Sequence, residues 1–231
     1  MNRLAPRETF DLKLDQLQNQ LLVLGSMVEQ ATLDSVDALK RRDIKAAQHT
    51  YSNDKKINQK RFEIENSCIS LIALQQPIAS DLRILASILD IASELERMGD
   101  YAKGIARICL LMKDQPPVKI PVEITRMAEI TSDMLHRSLG AFVSVDLDQA
   151  LEIPKEDDLV DDLYNQINHD IVSAMIHESI SLDWMNYLSW ATHNLERMAD
   201  RVTNICERTI YVATGEMKEL HSSDDEQRSN E

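Results

Sequence analysis

The segments Glu94-Leu-Glu-Arg-Met-Gly-Asp100 and Asn194-Leu-Glu-Arg-Met-Ala-Asp200 are nearly identical and lie one hundred positions apart. An internal duplication of that period confines the chain to two similar halves, since each copy must bury the same face as the other. Within each copy two carboxylates stand four residues apart, Glu96 with Asp100 and Glu196 with Asp200. On a helix this spacing places like charges one turn apart, where they repel. A repulsion that recurs at the same place in both halves calls for a compensating cation.

Only five glycines, six prolines and 4% aromatic residues occur in 231 positions, so turn signals and strand formers are scarce. The class is all-α. Helical periodicity breaks at Gln75-Gln-Pro77, at Gln115-Pro-Pro-Val-Lys-Ile-Pro121 and around Pro154. Long helices are therefore predicted over roughly 8–42, 44–75, 79–113, 122–145, 155–180 and 182–214. The expected architecture is two tandem three-helix bundles, residues 1–115 and 121–214, joined at the proline-rich seam into an elongated six-helix domain. After Gly215 the chain runs into Ser222-Ser-Asp-Asp-Glu-Gln-Arg-Ser-Asn-Glu231, which offers no apolar side chain to pack, and a disordered acidic tail is expected over 215–231.

On the third predicted helix Ile84, Ile88, Ile91, Leu95, Met98, Ala102, Ile105 and Cys109 alternate in steps of three and four, the seam of a bundle. The sixth repeats it as Trp184, Leu188, Ala191, Leu195, Met198, Val202, Ile205 and Thr209. Glu96 and Asp100 fall on the shoulder of that seam, edging the core. The second helices of the halves also correspond, Asp54-Lys-Lys-Ile-Asn58 answering to Asp157-Asp-Leu-Val-Asp161. Asp157 and Asp161 can thus join Glu196 and Asp200 as four candidate ligands of one hard or borderline cation. The first half offers Asp54, Glu96 and Asp100 but has Asn58 in the fourth place, which predicts a weaker or differently filled site there.

Glu-x-x-x-Asp is common on acidic helical surfaces, and a single copy would read as a solvated face. Repetition inside a shared Leu-Glu-Arg-Met context is what singles these residues out. Arg97 and Arg197 are expected to pair with carboxylates on a neighbouring helix, a structural role. No Glu-x-x-His pair is present, which removes the usual di-iron ligand pattern. His193 has Ser93 as its counterpart and reads as an ordinary helix residue. Gly-rich phosphate loops, zinc-finger spacings and Gly-x-Ser-x-Gly elbows are absent.

With 25 Lys plus Arg against 39 Asp plus Glu, the formal net charge is −14, which opposes a non-specific grip on nucleic acid or on anionic lipid. The amino-terminal residues lack an apolar signal core, and the apolar runs are too short to span a bilayer, so a soluble cytoplasmic protein without membrane insertion is expected. Cys68, Cys109 and Cys206 sit in apolar helical patterns and read as small buried hydrophobes in a reducing compartment.

Gln76-Pro-Ile-Ala-Ser-Asp-Leu-Arg83, the segments at 94–100 and 194–200, and Met27-Val-Glu-Gln30 together resemble the PhoU proteins, bacterial regulators of phosphate uptake and phosphate signalling. The resemblance covers the chain apart from its acidic tail. It implies two three-helix bundles, and acidic helix motifs able to bind multinuclear metal clusters, here through Glu96, Asp100, Glu196, Asp200, Asp54, Asp157 and Asp161. Iron or zinc is the expected metal. It further implies a non-catalytic homodimeric adaptor that restrains phosphate uptake and the phosphate-starvation response. Its partners would be the ATPase subunit of the phosphate ABC transporter and the phosphate sensor histidine kinase. Two other classes remain open at this point: a carboxylate-bridged, metal-dependent phosphoester hydrolase, and a metal-free helical scaffold.

Overall fold

The structure is a computed structural model, described over residues 6–116, 119–177 and 181–220. Six long helices carry it: α1 (Pro6–Arg41), α2 (Ile44–Gln75), α3 (Ala79–Leu111), α4 (Val122–Ser144), α6 (Asp157–His177) and α7 (Leu182–Thr214), with a short α5 (Leu147–Glu152) between α4 and α6. No strand occurs among the described residues. Helices α1, α2 and α3 pack on one another, as do α4, α6 and α7, and the two bundles meet through α3 against α7 and α1 against α4. The duplicated helices are thus the centre of the molecule.

The seam read from sequence is the core. Ile88, Ile91, Leu95, Ala102 and Ile105 of α3 are fully buried, as are Ala191, Leu195, Met198, Val202 and Ile205 of α7. Ile84 is the exception, half-buried, with Leu85 taking the inward position one step on.

Sequence periodicity reads 146–154 as a connection; the structure makes it helical. Asp146 caps α5 by accepting from Gln149 N at 3.0 Å, and a 3-10 turn, Ile153–Glu156, leads into α6. The first half shows what this segment is. Asp43 caps α2 by accepting from Lys45 N and Ala46 N, both at 3.0 Å. The residues before the two caps, Arg42 and Val145, have φ of 55° and 54°. Asp43 N and Asp146 N donate back to Ala38 O and Ala141 O, each at 2.9 Å. The same corner is therefore built twice. In the second copy Pro154 lacks the amide that an uninterrupted helix needs, and what is one helix in α2 becomes α5, a tight turn and α6.

Arg42 ties the corner to the seam between the halves. Its guanidinium donates to Met112 O and Gln115 O, both at 2.6 Å, and lies 5.6 Å from the Trp184 ring centroid. The Trp184 indole in turn donates to Pro116 O at 3.1 Å. At the far end Gly215, φ 81°, ends α7, and Leu220 N then donates to Glu207 Oε1 at 2.7 Å, so the segment after the helix turns back onto it. Residues 221–231, where most of the acidic tail lies, are outside the described residues.

Candidate metal centre

Each half brings its acidic residues together between the second and third helices of its bundle, and each does so with a different charge balance. In the first half Asp54 is 6% exposed on α2. Lys103 of α3 donates to its Oδ2 at 2.6 Å and stands 3.6 Å from Asp100 Oδ1. Asn58 Nδ2 donates to the same Oδ2 at 3.2 Å. Glu96 is half-buried, and burial pushes its carboxyl up, as do Asp100 and Asp54, with the Arg61 guanidinium opposing them. Arg61 also pairs with Glu65 along its own helix. Lys103 is charged more firmly than a free lysine because of its hydrogen bond to Asp54.

In the second half the equivalent of Lys103 is Thr203, and the equivalent of Asn58 is Asp161. Four carboxylates remain without the internal ammonium. Asp157, 5% exposed, is pushed up to about 7 by burial first and then by Asp161, Asp200, Glu196 and Asp158. Glu196 is raised by burial and by Asp200. Arg197 offsets part of this, 2.9 Å from Asp200 Oδ2, and also hydrogen-bonds Tyr101 across the interface. The expectation that Arg197 serves a carboxylate on another helix is corrected: its carboxylate is on its own helix, three residues on, and what it meets on the neighbour is a tyrosine.

Three buried oxygens of the second cluster have no hydrogen-bond partner: Asp157 Oδ1, Glu196 Oε2 and Thr203 Oγ1. His193 is nearer the site than its sequence context implied, with Nδ1 3.2 Å from Glu196 Oε2, although outside hydrogen-bond alignment. Asp157, Asp200 and Thr203 open onto a cavity of about 280 Å³ that Arg197, Arg201 and Asn204 also line. Among the described residues no three His, Cys, Asp or Glu side chains meet around one point as a metal ion requires. An ion would have to draw these carboxylates in by rotation of their side chains.

The donor chemistry distinguishes the halves. The second offers four carboxylates with no lysine among them, the set a hard or borderline cation takes, and two orphaned buried carboxylate oxygens against the one, Asp54 Oδ1, of the first. The first already contains its cation, the Lys103 ammonium. Sequence reasoning listed the carboxylates but missed Lys103, although its signal was present: position 103 is a lysine and position 203 a threonine on the same face of the duplicated helix.

The three cysteines are free and buried, and burial pushes the Cys68 and Cys206 thiols up to about 12 and that of Cys109 to about 11. They belong to the core and not to the site.

The PhoU domain profile matches residues 21–109 and 124–209, one domain in each half. The phosphate-specific transport system accessory protein PhoU homologue of Clostridium acetobutylicum is 37% identical over 93% of this chain and 99% of its own length. The Escherichia coli K12 protein named phosphate-specific transport system accessory protein PhoU is 33% identical over 90% of this chain and 86% of its own. Among solved structures, the phosphate transport system regulatory protein PhoU from Streptococcus pneumoniae superposes with a TM-score of 0.85 at 34% identity, covering 91% of this chain and 100% of the other.

Proposed function

This chain belongs to the PhoU family, and from that premise we propose that it is an accessory regulator of phosphate transport that acts by docking and not by turnover. The observation that carries the reading is the correspondence of both halves, over 90–93% of the chain, with proteins named as phosphate-specific transport system accessory proteins. We assign as its partners the ATPase subunit of the phosphate ABC transporter and the phosphate sensor histidine kinase, with uptake and the starvation response restrained while phosphate is plentiful. No helix among the described residues is long and apolar enough to cross a membrane. We assign it to the cytoplasm as a homodimer that meets both partners there.

In this reading Asp157, Asp161, Glu196 and Asp200 hold iron or zinc in the second half. The ion supplies positive charge that satisfies the lone pairs of Asp157 and Glu196 and fixes α6 against α7. In the first half Lys103 does the same work between α2 and α3, so Asp54, Glu96 and Asp100 need no ion of their own. Both third helices then present rigid outer faces to a partner, which lowers the ordering cost of docking.

Two measurements test this. Co-purification with the transporter ATPase or the kinase under high phosphate is expected, along with raised phosphate uptake on deletion; absence of both would sink the regulatory role. Metal analysis of chain purified without chelator is expected to find iron or zinc in the wild type and to lose it in Glu196→Gln plus Asp200→Asn. Equal metal content in the two proteins would remove the site.

A further inference from the structure

Helix α1 carries two apolar seams, and its own bundle uses one. Leu14, Leu17, Leu21, Leu24 and Val28 face inward and are buried. Leu22, Val23, Met27 and Ala31, with the small Ser26 among them, instead form one wall of a cavity of about 630 Å³ that opens between α1 and α2. Val23 is 53% exposed on that wall. The α1 wall runs from Asn19 to Asp34, about 22 Å or four helical turns. A groove of that length, with Val23, Met27 and Ala31 one helical turn apart along its wall, has the shape that receives a helix.

The α2 wall adds a polar anchor. Asp54 lines the groove and is 6% exposed, yet only its Oδ2 is engaged, by Lys103 and Asn58; its Oδ1 has no partner. Neither Glu96 nor Asp100 lines this groove, and Asp54 is the residue it shares with the first acidic cluster. Asp34 is exposed on the rim, with Lys56 on the opposite wall. A buried carboxylate oxygen left unpaired is costly, and a turn of the Asp54 carboxyl toward the groove would let a donor of the occupant remove the cost.

We propose that this groove binds an amphipathic α-helix of a partner protein, apolar along its i, i+3, i+4, i+7 face and bearing a lysine or arginine that reaches Asp54 and Asp34. The chain's net charge of −14 favours a basic helix. Residues 221–231 hold no apolar side chain and are excluded as its occupant. A small ligand would leave most of a four-turn stripe uncovered, and a second copy is an outcome the sedimentation arm of the test distinguishes. The proposal gives the docking role a surface, and that role supplies only its biological meaning, since the assay below needs no transporter or kinase.

The test is fluorescence anisotropy with a labelled Leu/Lys amphipathic peptide of about 18 residues. Its control is an isomer of the same composition whose leucines form no stripe, and both are run at about 0.5 M salt to screen surface attraction. Val23→Glu and Ser26→Glu change exposed positions, so the fold persists, as circular dichroism will confirm. Saturable one-to-one binding of the striped peptide is expected, weakened about tenfold or more by either change, since each buries a carboxylate against leucine. Merely electrostatic binding of a Lys-rich peptide would instead strengthen with the added carboxylate. The proposal is overturned by equal binding of the scrambled isomer, by no binding, or by indifference to both substitutions. Sedimentation showing that Val23→Glu converts a dimer to a monomer would assign the groove to a second copy and overturn it as well. Displacement of the peptide by one equivalent of dodecylamine would do so in favour of a small amphiphile.

Discussion

Glu94 of α3 accepts hydrogen bonds from two residues of α7, Arg201 Nη1 at 3.3 Å and Asn204 Nδ2 at 3.2 Å. Asn194, one repeat on from Glu94, lies against Gly104, one repeat back from Asn204: a Cβ on Gly104 would stand 2.9 Å from Asn194 Nδ2. Arg208 pairs with Asp90 at 3.4 Å further along the same contact. Every step up α3 is matched by an equal step down α7, so the helices cross antiparallel about a pseudo-two-fold axis at Gly99 and Ala199. This is the geometry of an isologous dimer interface, enclosed within one chain. The two sides differ: Glu94 makes the polar contact on one, and Asn194 packs against Gly104 on the other. Glu94→Ala leaves Arg201, whose side chain is 15% exposed, without its carboxylate, and is expected to cost about 1–3 kcal/mol in urea unfolding. A loss within about 0.5 kcal/mol would place the ion pair among those that contribute nothing measurable.

Two glycines predict opposite outcomes for one substitution. A Cβ on Gly25 would overlap Leu139 Cδ1, where α1 meets α4, and Leu139 is 2% exposed, so its side chain has little room to turn. Overpacking there costs about 1–3 kcal/mol, more than the helix propensity that alanine returns. On α4 nothing lies within 4 Å of a Cβ added to Gly140. Gly140→Ala is expected to raise stability by about 0.8–1.0 kcal/mol. Thermal melts of the two variants should move in opposite directions, and a shared direction would show that the α1–α4 contact yields more readily than the packing implies.

The ammonium in the first half can be moved. Lys103→Thr with Asn58→Asp gives the first half the same donor set as the second, and bound metal per chain is expected to rise. Thr203→Lys places an ammonium beside Asp157 and Asp200, and metal in the second half is expected to be lost while the melting temperature ceases to respond to added metal. Metal content unchanged in both variants would show that the residue at this position does not decide occupancy.

The duplication exposed the helix count, the seam and the carboxylates, because each is a local pattern that periodicity records. Three features escaped it for physical reasons. The α5 turn was hidden because Pro154 reads as a break, and only comparison with the Asp43 corner shows a helix on each side of it. Lys103 was passed over because a lysine on an acidic helix reads as solvated until Asp54 is found 2.6 Å away. The pairing of Glu94 with Arg201 depends on how the two bundles are placed against each other, which no periodicity within one helix encodes.

Asp157 gives the metal-free protein a pH dependence of definite sign. Folded, its carboxyl is raised from 3.8 to about 7 by burial and by the surrounding carboxylates; unfolded, it titrates near its ordinary value. Between those two pH values the folded chain holds a proton that the unfolded chain has released, so stability falls as pH rises. The contribution is fully present below the unfolded value and is lost as pH passes through about 7. Its size is on the order of 4 kcal/mol, shared with the carboxylates that raise it. Chelator-treated protein should therefore unfold at lower urea at about pH 8 than at about pH 5.5, and Asp157→Asn should flatten much of that slope. A cation competes with the same proton, so added iron or zinc should raise the melting temperature more at the higher pH. If wild type and Asp157→Asn show the same pH slope, the charge in the second cluster is balanced by groups other than those named, and the case for an ion there loses its electrostatic basis.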